Sequence, residues 1–389
     1  RYWRDECDSG AGVGRHSVGV AVVTIWHRQP DLSRGALVQH CSEVVLVERH
    51  NAPDTVQITA ARPELLPLMQ PGHGAVLTLD GSNISGNAVH WVRSSAQTST
   101  ATLEADTGVA WRRTPYADPA HAWASQATAY DRRTGPAETI ALAYLNANLG
   151  PGALVARRRA GLTIPASMGR GTSQTRTVRF EAYGPLGALV STILEPDGLR
   201  WRIVQPDVDD PTLTVEVTQP APVPRAKSLG IPGYGGPSLL SDWSYEVVAP
   251  DATVALLGAQ GELTSRILRE RVDGSGALAA WGRREVFVDQ RQTDDTSEVD
   301  KAGDDAIASA QPMVRITTEI AEPLPVGALV TVDLDGVQVT ERVRTLTTTI
   351  TPSRTTYRVT IASAQGADLS LDQRRLLALD KQSRKVSAQ

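Results

Sequence analysis

"LPVGALVTVDLDGVQVTERV" (Leu324–Val343) alternates apolar and polar residues on both sides of Asp335-Gly336. An Asp-Gly pair between two alternating runs is a strong hairpin signal, because a two-residue turn needs positive φ at both positions. The same device stands far upstream in "LPLMQPGHGAVLTLDGSNISGNAV" (Leu66–Val89). Each copy has Leu-Pro, a glycine, an apolar run, Asp-Gly and a returning strand. The repeat predicts two like β units in one chain.

Patterning around the two hairpins sets the layout. Residues 1–40 are irregular and begin glycine-rich ("RDECDSGAGVGRHS"), which predicts an N-terminal arm. "EVVLVERH", "DTVQITAARP", "GAVLTLDG", "NAVHWVRSS" and "TATLEAD" read as short strands of a first β-barrel region, 41–116. Residues 117–220 read as an inserted α+β domain. In it "DPAHAWASQATAYDRR" and "GPAETIALAYLNANLG" are expected helices, a third runs from about Pro185 to Leu194, and Pro196-Asp197-Gly198 turns into a strand. Residues 221–240 are a Pro/Gly-rich linker. A second β-barrel region spans 241–364, with "WSYEVVAP", "TVALLGAQ" and "RREVFVDQRQ" as strands and a polar helix near 298–311. "PMVRITTEIAEP", the opening hairpin and a strand pair about Thr351-Pro352 complete it. A short helix and polar tail fill 365–389. The expected fold class is α+β and β-rich, two antiparallel β barrels with an inserted α+β domain.

Few residues invite chemistry. His16, His27, His40, His50, His73, His90 and His121 form no HxxxH, HxH or H-E-x-x-H spacing, so each reads as a surface or satisfied polar residue. "GAGVG" (Gly10–Gly14) lacks the preceding strand and the Lys-Ser/Thr of a phosphate loop, and "DGSGA" (Asp273–Ala277) is not G-x-S-x-G. The acidic run 289–305, with Asp289, Asp294, Asp295, Asp300, Asp304 and Asp305, could supply oxygen ligands but lacks the calcium-loop pattern. Acids at a helix start also complement the helix dipole without a metal. Paired carboxylates fit a glycosidase only with aromatic platforms beside them. Trp91, Trp111, Trp123, Trp201, Trp243 and Trp281 instead occur one per segment, as core anchors. No catalytic, cofactor-binding or metal residue is assigned, and the chain reads as a non-enzyme with no cofactor.

Charge and length narrow the rest. The net charge is -4, and "ARRRAG" (Ala156–Gly161), the densest basic run, reads as a solvated face rather than a nucleic-acid stripe. No apolar run reaches the roughly 20 residues of a membrane span. "VGVAVVTIW" follows a charged, glycine-rich lead unlike a signal peptide, so a soluble, intracellular setting is expected during synthesis. Cys7 and Cys41 are two free thiols or one disulfide.

The run "VQITAARPELLPLMQPGHGAVLTLDGSNISGNAV" resembles the opening barrel of siphophage tail hub proteins, the minor tail or baseplate hub proteins of actinobacteriophages. So do "GPAETIALAYLNANLG", "ARRRAGLTIP" and "WGRREVFVDQRQTDD" followed by a polar helix and "LPVGALVTVDLDG", in the family's order. The likeness covers about Cys41 to Ala364. It implies the fold of the hubs of contractile tails and type VI secretion spikes, in which two tail-tube-like barrels lie in one chain. Three chains then form a ring whose six barrels adapt the hexameric tube to a three-fold tip. The implied place is the distal tail tip of the virion, after assembly in the host cytoplasm. The implied partners are a homotrimer, the distal tail protein or tube end, the tape-measure protein and a tip or fibre protein. No membrane is involved, and DNA only passes through the lumen. A cell-wall-degrading tail lysin and a carbohydrate-binding β protein are the alternatives.

Overall fold

Short alternating segments become strands over residues 23–105. They are β1 (Val23–Arg28), β2 (Arg34–Leu37), β3 (Cys41–Arg49), β4 (Thr55–Ala61), β5 (Gly74–Leu79), β6 (Ser82–Arg93) and β7 (Thr98–Ala105), with helix α1 (Arg62–Leu65) between β4 and β5. The computed structural model describes residues 23–93, 97–179, 184–224, 229–230, 238–239, 241–291, 293–334 and 337–363. The strands lie in the order β3-β4-β7-β6-β5-β1-β2. Ile25, Leu46, Ile58, Leu77 and Leu103 meet Leu65 and Leu68 in one core. Burying each such side chain contributes about 1.5–3 kcal/mol. Because strands near both ends of the order feed this core, the sheet curls around it. The stretch expected as an arm thus holds two strands, β1 pairing β5 from Val23↔Leu79 to Arg28↔Gly74; residues 1–22, with the glycine run, lie outside the described residues.

Helix α2 (Gly108–Trp111) leads into β8 (Tyr130–Pro136), α3 (Ala137–Asn148), β9 (Leu162–Thr163), β10 (Ser173–Arg179), α4 (Leu186–Leu194), β11 (Arg200–Val204) and β12 (Leu213–Thr218). Pro136 and Pro185 directly precede α3 and α4, where a fixed φ suits the helix start. Ile140, Tyr144 and Leu145 pack on Val190, Ile193 and Trp201 in the largest core among the described residues. The helix expected over "DPAHAWASQATAYDRR" does not form: the stretch holds one 3-10 turn, Trp123–Ser125, and the start of β8. The Asp118 carboxylate accepts from Ala127 N–H, and the Gln126 amide donates to the carbonyls of Asp118, His121 and Ala122. Such side-chain bonds satisfy backbone groups outside a helix.

The remaining elements are β13 (Leu229–Gly230), β14 (Ser238–Leu239), β15 (Ser241–Val248), β16 (Val254–Gly258), β17 (Leu268–Val272), α5 (Ala277–Trp281), β18 (Glu285–Asp289), α6 (Thr296–Ser309), β19 (Met313–Ile320), β20 (Leu329–Leu334), β21 (Val337–Thr351) and β22 (Arg354–Ala362). The strands β16–β18, read from sequence as part of the second β region, form their own sheet, β17-β16-β18. Leu257, Ala259 and Val299 join it to α6.

The two hairpins prove to be part of a longer duplication. Strands β3, β4, β5, β6 and β7 pair in the order β5-β6-β7-β4-β3. Strands β15, β19, β20, β21 and β22 pair in the corresponding order β20-β21-β22-β19-β15, all antiparallel. In the first hairpin Asp80 (φ 48) and Gly81 (φ 80) turn between the pair Leu79↔Ser82. In the second, pairing runs to Leu334↔Val337, while Asp335 and Gly336 themselves lie outside the described residues. Even the irregularity repeats. Val89 and Arg344 are each the extra residue of a bulge, eight positions beyond Gly81 and Gly336. Bulge position fixes strand register and twist, so the two units share register as well as order.

The units join edge to edge. Beyond its bulge β21 leaves β20 and pairs with β3, from Thr345↔Arg49 to Ile350↔Val44. Ile350 consequently sits in the core of the first unit. The antiparallel β-rich architecture is as expected, but no strand pairing among the described residues closes either unit into a barrel.

Candidate functional site

Unpaired strand edges and exposed apolar side chains are the places where a β protein can take a further strand. The tryptophans expected as core anchors supply several. Trp201 is buried, but Trp91, Trp123, Trp243 and Trp281 are each more than two-fifths exposed. Trp91 stands with exposed Val89 and Val92 on β6, and Trp243 stands with exposed Tyr245 and Val247 on β15. Among the described residues β6 beyond its bulge pairs with β7 alone, and β15 pairs with β19 alone. Two strand edges with exposed tryptophans are thus left, one on each of the joined units. One tryptophan per segment was the sequence signal, and it was consistent with core or surface.

A second cluster holds the parts together. The β3–β4 turn places His50 and Asn51 against the end of α4 and the bulge of β21. Glu195 Oε1 accepts from Arg344 Nη1 at 2.5 Å, and its Oε2 lies 3.1 Å from His50 Nε2. Asn51, at φ 54, donates to the carbonyl of Leu199 and accepts from Trp201 N–H. Burial opposes ionisation of Glu195, yet the His50 hydrogen bond and the Arg344 charge hold its carboxyl down to about 2. Burial, aided by Arg344 and Arg342, keeps His50 below its ordinary value despite Glu195.

Other sequence readings shift in the same way. His27 and His73, 46 residues apart, stack at 4.9 Å with Nε2 2.7 Å from Nδ1. Burial, then the neighbouring His73, lowers the His27 pKa. The "ARRRAG" run is not a solvated face. Arg157 is buried, and Arg159 reaches Asp106 at 3.3 Å. The acidic run is neutralised by arginines: Asp289 by Arg266 and Arg291, Asp300 by Arg269, Asp304 by Arg271. Asp295 caps α6 by accepting from Ser297 N–H. Among the described residues no three of His, Cys, Asp and Glu gather as a metal site. Cys41 has no disulfide partner among the described residues, and burial, then Glu64, raises its thiol pKa to about 11; Cys7 lies outside the described residues. Among the described residues no helix is long and apolar enough to cross a membrane.

The depressed histidines make stability pH-dependent. A folded-state pKa below the unfolded value of about 6.5 means the unfolded chain takes up the proton first as pH falls. We expect the melting temperature to hold above pH 6.5 and to fall steadily toward pH 5. His27→Gln should flatten part of that slope in differential scanning calorimetry; a wild-type midpoint unchanged from pH 7.5 to 5 would refute the expectation.

Comparison with known proteins gives a consistent result. The family model described as Siphovirus ReqiPepy6 Gp37-like protein matches residues 22–362. Among solved structures, the 43 kDa tail protein of prophage MuSo2 from Shewanella oneidensis is 11% identical, with a TM-score of 0.55 over 87% of this chain and 98% of that one. A tail protein from Neisseria meningitidis MC58 is 13% identical, with a TM-score of 0.55 over 88% and 96%. Prophage tail protein gp18 from Listeria monocytogenes EGD-e is 8% identical, with a TM-score of 0.50 over 91% and 98%. At such identities the likeness is one of fold. No curated protein matches the sequence.

Proposed function

The chain belongs to the Siphovirus ReqiPepy6 Gp37-like family, and from that premise we propose that it is a structural, non-enzymatic tail hub of a long-tailed bacteriophage. Three copies form a ring at the distal tail tip, so that six five-stranded units face the hexameric tail tube. Each unit acts as a tube-like barrel, and the ring lines or gates the channel through which DNA passes. The distal tail protein or tube end lies above, the tape-measure protein inside, and a tip or fibre protein below.

The observation that carries this reading is the internal joint. Inside one chain the post-bulge segment of β21 pairs with β3. The duplicated register makes the post-bulge segment of β6 the counterpart of the first, and β15 the counterpart of the second. Those two edges cannot meet within one chain without displacing the joint already made, but they meet between copies. The same joint, repeated head to tail, alternates with the internal one and closes a ring. By register, the internal pair Leu346↔Glu48 corresponds to Trp91 of one copy opposite Val247 of the next. That contact would cover the exposed apolar residues of both edges, in the manner of cross-strand aromatic and β-branched pairs.

Paired cysteines test it. Directly opposed antiparallel residues lie about 4.5–5.5 Å apart at Cα, within disulfide reach. Trp91→Cys with Val247→Cys, in a Cys7→Ser, Cys41→Ser background, should give covalent trimers when assembled tails are oxidised and run unreduced. Each single-cysteine variant should run as the monomer. Only monomers from the double variant, in tails that still assemble, would overturn the joint.

A further inference from the structure

A small cavity of about 280 Å³ opens in the inserted region, lined by Arg112, Arg113, Thr114, Tyr116, Trp123 and Arg157. Its base is unusual in charge. The Arg157 guanidinium is buried, yet its hydrogen-bond partners are neutral: Asn148 Oδ1 at 3.3 Å and the Thr114 carbonyl at 2.6 Å. It lies 3.4 Å over the Tyr116 ring. Arg113 beside it has no carboxylate partner among the described residues, and Arg112 pairs outward with Glu104 at 2.5 Å. Burial, chiefly, and the charge of Arg113 both press the Arg157 pKa down. Buried charges ordinarily sit against an opposite charge. Here two guanidiniums converge on one opening without one.

The other wall is aromatic. Trp123 is 44% exposed and its ring is tilted 50° to Tyr116, with centroids 5.3 Å apart. Parallel rings would sandwich a flat base. Tilted ones make a corner, which suits the C–H face of a sugar. The volume lies just below the roughly 300–1,000 Å³ usual for ligand pockets, which limits the occupant to about one monosaccharide unit. Planar guanidiniums are matched to phosphate oxygens, which they grip in pairs. We propose that this cavity binds a phosphorylated monosaccharide, with the phosphate on Arg113 and Arg157 and the sugar ring on Trp123.

Isothermal titration of the full chain with glucose 6-phosphate, glucose, inorganic phosphate, AMP and poly(glycerol phosphate) tests the assignment. Glucose 6-phosphate should bind at least about tenfold more tightly than inorganic phosphate, and glucose alone should not bind. Arg113→Gln should weaken both phosphate ligands about tenfold or more. Trp123→Ala should weaken glucose 6-phosphate while leaving inorganic phosphate unchanged. Both side chains are at least partly exposed, so unaltered melting curves are expected and Arg157, which holds the fold, is left intact. Binding of poly(glycerol phosphate) as well would identify a phosphate-linked glycan as the source; its failure to bind would identify the free sugar phosphate. No saturation by glucose 6-phosphate up to about 10 mM, equal affinity for glucose, or tighter binding of AMP would overturn the proposal.

Discussion

Asp106→Ala is expected to lower the unfolding free energy by about 3–5 kcal/mol, the usual cost of removing one partner from a buried ion pair. Asp106 accepts from Arg28 through both oxygens, at 2.6 and 3.0 Å, and both side chains are excluded from solvent. The same carboxylate accepts from the Ser85 hydroxyl at 2.6 Å and lies 3.3 Å from Arg159 of the inserted region. Burial alone would raise the Asp106 pKa, but the charge and hydrogen bonds of Arg28, with Ser85 and Arg159, bring it below its ordinary value. The alanine variant therefore leaves two guanidiniums facing each other without an anion. Charge, not the lost volume, is the cause, and a second substitution separates the two. Arg28→Met combined with Asp106→Ala should recover more than half of the loss, because it removes the fully buried one of the two stranded charges and leaves only the partly exposed Arg159. Urea unfolding monitored by tryptophan fluorescence reads both variants; a double variant as unstable as the single one would refute the argument.

How much of this was readable from the chain depends on the distance over which a signal acts. The Asp80-Gly81 turn was legible because alternation and positive φ are properties of a few neighbouring residues. Helices α3 and α4 were legible through Gly, Pro and apolar spacing, and α6 as a polar helix after an acidic run. The stretch 118–133 was not, since Asp118 and Gln126 use their side chains to bond backbone groups. Long-range registers left no local trace. Thr345 pairs with Arg49 across 296 positions, a contact no window of sequence contains. Likewise β16 and β18 read correctly as strands, but β17 between them was not read, and the three form their own sheet with α6 packed against it.

The surface was the least legible part. A tryptophan contributes the same pattern to a sequence whether it fills a core, as Trp201 does, or stands exposed on an edge, as Trp91 and Trp243 do. The arginine run shows the converse: "ARRRAG" looked like a wet face, but Arg157 and Arg159 find acceptors more than forty positions upstream, at Thr114 and Asp106. Arginine's five donors on a planar head make it the cation best suited to such buried positions.

Glu195→Ala should cost a comparable amount, about 3 kcal/mol or more, and its pH dependence should identify the cause. Glu195 closes the α4 end of the inserted region and bonds to the first unit through His50 and Asn51. It bonds to the second through Arg344, the bulged residue of β21. Arg344 has no other carboxylate within ion-pair distance among the described residues; its Nε donates to the carbonyl of Ala362. Removing Glu195 therefore strands a buried cation at the junction of three parts. The folded-state pKa of about 2 lies below the ordinary carboxylate value of 4.5, so the contribution is complete above pH 4.5 and fades as pH falls toward 2. The wild-type advantage over Glu195→Ala should accordingly be constant from pH 8 to 7, where His50 is neutral in both, and the Glu195 charge contribution itself should fade below pH 4.5. Glu195→Gln, which keeps the shape and loses the charge, should resemble the alanine variant at pH 7. Should the Glu195→Gln variant prove as stable as wild type, packing rather than the Arg344 charge would be what Glu195 supplies at the joint.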